Sequence, residues 1–205
     1  HLAPRPHQRA TRHCLALTAG AALLTATQAG AAPAPKPVTP AAWCLQKGGT
    51  PADYRAYYDN QLNLTPLGTV RELCRFQNAK DNTQIILPSD TLAADKPTLA
   101  ALAYIRKPAL PPVPGGANPA AVYCAHLGGT SQFGEGKLDV GGWIREGDRV
   151  SRDNLHSMCM FADGSAIDEW GLTYHTFGVV RGANLENKFR AHIPSAQGRE
   201  AWNRV

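Results

Sequence analysis

The hydrophobic pattern starts with an apolar, alanine-rich stretch, Cys14 to Ala26, behind the basic residues Arg5, Arg9, Arg12 and His13. A basic start, a short apolar run and the small residues Ala29-Gly30-Ala31 predict a secretory signal peptide over residues 1–31, with Thr27-Gln28-Ala29 as a second cleavage position. The run is about 13 residues, short of the ~20 that span a bilayer as a helix. An uncleaved N-terminal anchor is the alternative reading. A Pro-rich spacer follows over 32–39.

Further along, Ala120, Ala121, Tyr123, Cys124 and Leu127 predict a short helix opened by Asn118 or Pro119 and ended by Gly128-Gly129, where glycine accepts the left-handed backbone of a helix end. A Gly-rich region (Gly134, Gly136, Gly141, Gly142) leading to Trp143-Ile144-Arg145, and the run Leu155 to Phe161, are expected to be extended. Ala162-Asp163-Gly164-Ser165 is a turn signal. Ser165 is expected to cap a short element running through Asp168, Glu169, Trp170 and Leu172. Pro51 to Asn60 looks helical or loop-like rather than extended. A linker helix is expected over Thr98 to Arg106, with Asp95 as N-cap and Pro97 in its first turn. Pro108, Pro111, Pro112, Pro114 and Gly115-Gly116 then form a stiff-then-flexible linker.

The pattern repeats. Trp43-Cys44, three residues, then Gly48-Gly49-Thr50 aligns with Tyr123-Cys124, three residues, then Gly128-Gly129-Thr130, and each is preceded by Pro-Ala-Ala. Leu73-Cys74-Arg75-Phe76 aligns with Met158-Cys159-Met160-Phe161, and Leu87 with Leu172. Two modules of about 50 residues follow from this self-similarity. Cys14 leaves with the leader, so four cysteines remain, the even number expected of an exported chain. Of the three possible connectivities, only Cys44–Cys74 with Cys124–Cys159 treats both modules alike and locally. Each bridge is worth roughly 3.5–4 kcal/mol in the chain-entropy model, and modules this small need such staples. Four buried thiols or a metal site are the alternatives, but no Cys-x-x-Cys or His-x-x-x-His spacing supports a metal.

The predicted fold class is therefore α+β. It comprises two tandem disulfide-stapled modules, each a short helix plus an antiparallel hairpin, joined by a helix and a Pro-rich linker. The boundaries are 40–88, 89–117 and 118–175, with a polar, basic C-terminal tail over 176–205 that is either a short helix or disordered.

Charge alters the picture only through the leader. The chain carries 21 Lys+Arg against 16 Asp+Glu, a formal charge of +5. Without the leader's three arginines the excess is near +2. No basic cluster interleaved with aromatics remains, which disfavours nucleic-acid binding.

The strings Asn118-Pro119-Ala120-Ala121-Val122-Tyr123-Cys124, Gly128-Gly129-Thr130 and Cys159-Met160-Phe161-Ala162-Asp163-Gly164-Ser165 with Glu169-Trp170 resemble a hemolysin-labelled family of small bacterial envelope domains. The resemblance covers 118–174, with a degenerate copy at 40–87. Departures from the family pattern are Ala162 for a proline, Ile167 for a frequent cysteine and Asp168 for a glutamate. The first copy keeps the cysteines and Gly-Gly, but has Asn78-Ala79-Lys80 where the Asp-Gly-Ser turn is expected. The resemblance implies an exported location and a helix-plus-hairpin module, with no established activity.

Asp163, Asp168, Glu169 and His175 are the one dense acid/His group. They could supply acid/base chemistry. Alternatively Asp163 makes the turn, while Asp168 and Glu169 begin a helix whose dipole favours negative charge. No cofactor, metal or catalytic constellation is expected. Candidate partner contacts are Trp143, His126, Asp168 and Glu169, with Trp143 the best exposed one because it lies in a Gly-rich loop. Trp170 and Tyr123 read as core. Gly48, Gly49, Gly128, Gly129, Asp163, Gly164 and Ser165 are turn or cap residues. The expected function is an exported, periplasmic or secreted, non-enzymatic binding or accessory module, docking on an envelope protein or larger periplasmic complex through the linker helix and Gly-rich loops. A membrane-active hemolysin-like protein is one alternative, with Thr98–Arg106 as its amphipathic segment. A small hydrolase using Asp163 to His175 is another.

Overall fold

Two helices with one construction begin the two halves of the chain. In α1 (Pro40–Gln46) the Thr39 hydroxyl accepts from the Ala42 N–H, and Pro40 occupies the first turn, where its missing N–H costs nothing. In α4 (Pro119–His126) the Asn118 carboxamide oxygen accepts from the Ala120 N–H, and Pro119 takes the same place. Both end the same way. Gly48 and Gly128 stand at φ 82° and 83°, a conformation that costs glycine little. The next N–H, of Gly49 or Gly129, then bonds back to the carbonyl of Cys44 (2.9 Å) or Cys124 (3.0 Å). The second glycine answers a different need: a Cβ on Gly49 would collide with both sulfurs of Cys44–Cys74, and one on Gly129 with both sulfurs of Cys124–Cys159. The two predicted disulfides are present.

These features come from a computed structural model, which describes residues 36–60, 62–131, 140–176 and 181–193. The expected leader (1–31), the first half of the spacer (32–39), Gly134 and Gly136, and the far end of the tail lie outside them.

After α1 come β1 (Thr50–Asp59), β2 (Leu64–Asn78), β3 (Thr83–Pro88), α2 (Ser89–Leu92) and α3 (Leu99–Arg106). After α4 come β4 (Thr130–Ser131), β5 (Val140–Arg145), β6 (Met158–Met160), β7 (Ala166–Asp168) and α5 (Glu169–His175). The class is α+β with antiparallel sheets, ordered β3-β2-β1-β5 and β4-β6-β7. Residues 51–59 are thus a strand, against the helical or loop-like expectation. Tyr54 and Ala56 point into the core while β2 and β5 pair with both edges, and this context overrides a pattern that looked helical.

The registers of the two halves agree. Thr50 faces Arg75 and Thr130 faces Met160, each one residue past the strand cysteine. Cys74 faces Leu87 and Cys159 faces Ile167. The register therefore matches Leu87 with Ile167 rather than Leu172, which lies within α5. The hairpin tips share a device as well. The Asp163 carboxylate accepts from the Ser165 N–H (3.0 Å) and hydroxyl (2.5 Å) across the left-handed Gly164. Asp81 does the same for Thr83 (3.0 and 2.7 Å) across Asn82, at φ 56°. The first half's turn is thus Asp81-Asn82-Thr83, on a longer hairpin, and Asn78-Ala79-Lys80 precedes it.

The described residues from Pro37 onward form one compact unit. Its main core joins Phe76, Ile85 and Leu87 to Tyr123, Phe161, Ile167 and Leu172, with both disulfides inside. A second cluster joins Leu73 and Ile86 to Met158, Ala166 and Trp143. Strand β5 belongs to the second half by sequence yet completes the first half's sheet. Arg152 reaches across to the buried Asp59 carboxylate with two hydrogen bonds (2.7 and 2.8 Å). Two expectations are corrected here. Helix α3 is capped by Thr98, not Asp95, and is a core element, with Ala100, Ala101, Tyr104 and Ile105 buried. The tail contributes Leu185 and Phe189 to the core, so residues 181–193 are packed although they form neither helix nor strand.

Candidate functional site

The Asp163-Gly164-Ser165 turn points away from its own helix. The second Asp163 oxygen accepts from the Leu99 N–H (2.8 Å), and the Ser165 hydroxyl accepts from the Ala100 N–H (3.0 Å). Two of the four orphan donors at the start of α3 are met by a turn about 65 residues away in sequence. Ser165 caps α3 rather than the element that follows it; α5 is capped by Asp168, whose Oδ1 accepts from the Trp170 (2.9 Å) and Gly171 (3.1 Å) N–H groups. Burial works against ionisation of Asp163, but hydrogen bonds from Ser165 and the Leu99 N–H outweigh it and hold the carboxyl below its usual range. At Asp168 burial wins over two backbone bonds and Arg181, raising the group to about 6.

His175 closes α5. Its ring stacks on Tyr104 at 4.0 Å between centroids, and Nδ1 lies 3.1 Å from the Tyr104 hydroxyl. Burial, with Lys107 assisting and Glu186 opposing, pushes the imidazole down to about 4. Burial likewise pushes the Tyr104 phenol up.

Beside the turn lies a polar cleft of about 130 Å³, walled by Asp163, Ser165, Thr98, Thr91, Asp90 and Arg71. Arg71, from β2, binds both Asp90 carboxylate oxygens (3.0 and 3.2 Å) and the Gly164 carbonyl (3.1 Å). It thereby pins the second half's turn to the first half. A second hollow of about 280 Å³ continues from Arg71 and Asp90 past Thr39 and Ser89. A serine nucleophile needs a base strong enough to take its proton and an oxygen lone pair left to attack. Ser165 Oγ already donates to Asp163 and accepts from Ala100, and Asp163 sits below its usual range.

The four sequence-derived partner contacts do not come together. His126 is exposed at the end of α4. Trp143 is 3% exposed, because it lies on β5 inside the second core cluster rather than in an open loop. Asp168 and Glu169 are buried, since α5 is packed rather than superficial. Tyr123 is core as expected, its hydroxyl donating to the Pro108 carbonyl (2.8 Å), whereas Trp170 is only half-buried. Sequence reasoning missed Arg71, Tyr104, Lys107 and Glu186. Asp81-Asn82-Thr83 carried a local turn signal; the other four interact across long sequence separations and carried none.

Among the described residues no group of three His, Cys, Asp or Glu side chains converges to hold a metal ion, and no helix is long and apolar enough to cross a membrane. Comparison with family models, curated proteins and solved structures returned no match.

Proposed function

We propose that this chain is an exported, non-catalytic binding or accessory module that docks on a protein of the bacterial envelope, and that its two halves descend from one duplicated helix-plus-hairpin unit. One observation carries the functional reading. The side chains best suited to chemistry (Asp163, Ser165, Asp168 and His175) are committed to capping helices and packing the core. The disulfides support an oxidising compartment. The matched registers, caps and glycine pairs support the duplication. The hemolysin-like reading loses support because its amphipathic segment, Thr98–Arg106, is core. The hydrolase reading loses support because its residues are spread between two capping sites and a buried stack.

The recognition face in this reading is the polar cleft around Arg71, rimmed by Asp90, whose side chain is 62% exposed. The test is cross-linked capture from a bacterial envelope fraction, with untagged chain as competitor. A saturable, competed partner that is lost with a folded Asp90→Lys variant is expected. An empty capture under native and cross-linked conditions, or capture indifferent to Asp90→Lys, refutes the reading.

A further inference from the structure

Strand β2 is longer than the strand beside it. From Leu73 to Asn78 it pairs with β3, whereas the residues before Leu73 have a neighbouring strand on the β1 side alone among the described residues. The hollow of about 280 Å³ lies at this step, among α1, β2 and α2. Pro40 and Ala41 of α1 give it an apolar wall. Glu72 of β2 and Ser89 and Asp90 of α2 give it a polar one. The volume is small for a cofactor-sized ligand and suits one long side chain.

The polar wall is incompletely satisfied. Ser89 is 1% exposed, and its Oγ is buried without a hydrogen-bond partner among the described residues. An orphaned buried hydroxyl is a cost that a ligand's donor removes. Glu72 makes no ion pair among the described residues, and it stands directly opposite Asp53 in the β1–β2 register. Residues paired this way share a face, and like charges across a ladder destabilise it. Asp90 has Arg71 as its ion-pair partner, and that guanidinium also serves the Gly164 carbonyl. The hollow thus sets two carboxylates against one arginine that is already engaged. A cationic hydrogen-bond donor would meet every one of these needs.

We propose that this hollow is a socket for one lysine or arginine side chain of the docked protein, with its methylene stem on Pro40 and Ala41, its charged head between Glu72 and Asp90, and one N–H donating to Ser89 Oγ. The inference rests on the envelope-docking reading and names the chemistry of the partner's contact. Long basic side chains sit in this way, stem on apolar surface and head among polar groups. An anionic group would meet both carboxylates, and Arg71, already bonded to Asp90 and Gly164, has little left to offer it.

The experiment is an amide NMR titration of the full oxidised chain at low salt with Nα-acetylarginine amide and Nα-acetyllysine amide. Nα-acetylcitrulline amide, the neutral isostere of the arginine probe, is the control. Saturable shifts at the Glu72, Ser89 and Asp90 amides are expected with both cations, with a Kd on the order of 10 mM for probes this small. The citrulline probe is expected to bind at least about fivefold more weakly, and added salt to weaken the cations. Ser89→Ala and Glu72→Gln are each expected to weaken the cations roughly fivefold, the loss of about one hydrogen bond or exposed charge pair. Ser89 Oγ has no bond to lose, so the urea midpoint of Ser89→Ala is expected to hold or rise, whereas a purely structural serine would lower it. Equal binding of citrulline and arginine, shifts that fall elsewhere or do not saturate, or unchanged affinity in either variant overturns the proposal. A failed titration beside a successful, Asp90-dependent envelope capture overturns the socket and leaves the docking reading standing. An empty capture beside a positive titration overturns the docking reading and leaves the cation chemistry of the hollow standing.

Discussion

The glycine pair after each helix makes a quantitative test of the disulfide arrangement. Replacing Gly48 with Ala places a Cβ in open space at φ 82°, so only backbone strain is added, about 1–2 kcal/mol. Replacing Gly49 adds no such strain but drives a Cβ into the Cys74 sulfur, to 2.8 Å from the Cys44 sulfur and 2.9 Å from the Phe76 ring. The bridge is buried within the main core and closes a loop of sequence separation 30, so it cannot shift freely. The expected cost is about 2–3 kcal/mol, at the upper end for overpacking. A double-mutant cycle separates the two causes. Cys44→Ala with Cys74→Ala alone costs roughly 3.5–4 kcal/mol through lost loop closure. In that background both colliding sulfurs are gone, and Gly49→Ala is expected to cost under about 1 kcal/mol, a coupling of about 1–2 kcal/mol. Gly48→Ala is expected to cost the same in both backgrounds. Each site keeps one contact that loss of the sulfurs does not relieve, the Phe76 ring at 2.9 Å from the Gly49 Cβ and the Met160 carbonyl at 3.2 Å from the Gly129 Cβ. Urea unfolding followed by circular dichroism gives each value, with an unchanged slope required for the comparison. Equal costs for Gly49→Ala with and without the bridge would refute the account of the second glycine.

The caps and the buried titratable groups lead to further expected outcomes. Asp163→Ala, which uncaps α3 from a distance, is expected to cost about 1–2 kcal/mol in urea unfolding and to raise exchange at the Leu99 amide, whereas Asp163→Asn retains an acceptor and costs less. His156 and His175 are both depressed to about 4, chiefly by burial. Their contribution is complete above pH 6.5 and is lost as pH falls towards 4. Asp168, raised to about 6, acts oppositely: its contribution is present below about pH 4 and is lost as pH rises through 6. Two groups against one leave global stability rising by roughly 1 kcal/mol per pH unit between pH 4 and pH 6, measurable by urea titration at each pH. Asp168→Asn keeps the cap yet stays neutral, so it is expected to stabilise at pH 8 by roughly 1–2 kcal/mol and to change little at pH 4. Stability unchanged at pH 8 would contradict a buried, raised carboxyl.

Local chemistry was legible in the sequence, and contacts between distant residues were not. The Pro-opened, Gly-Gly-closed helices and the cysteine pairing were readable because each signal lies within a few residues or recurs in both halves. Strand β1 was not, because Tyr54, Tyr57 and Tyr58 owe their extended form to β2 and β5 on either side. Trp143 looked exposed because glycines flank it, yet those glycines let β5 lie between β1 and His156. The helix 99–106 was predicted in nearly its true place, but its role was misjudged. Its alanines fit a close-packed core as well as a linker, and composition does not separate the two.

The packing of the two halves has a physical cause in the segment that trails each of them. The segment after the first half starts α3, and its Leu99 and Ala100 N–H groups dock on Asp163 and Ser165 at the second half's hairpin tip. The segment after the second half passes Gly182, whose N–H docks on Thr83 at the first half's tip. Ser165 and Thr83 play one part: each hydroxyl donates to an aspartate two residues earlier and accepts a backbone N–H from the other half's trailing segment. Each trailing segment then delivers apolar side chains to the shared core, Tyr104 from one and Leu185 and Phe189 from the other. Neither half can meet these donors or fill this core alone, and a unit of about 50 residues buries too little surface to be stable by itself. The disulfides staple each half internally, whereas reciprocal docking joins the halves. Reducing the bridges therefore weakens each half without removing the contacts that join them, and cutting the linker within its exposed residues 114–116 leaves those contacts in place.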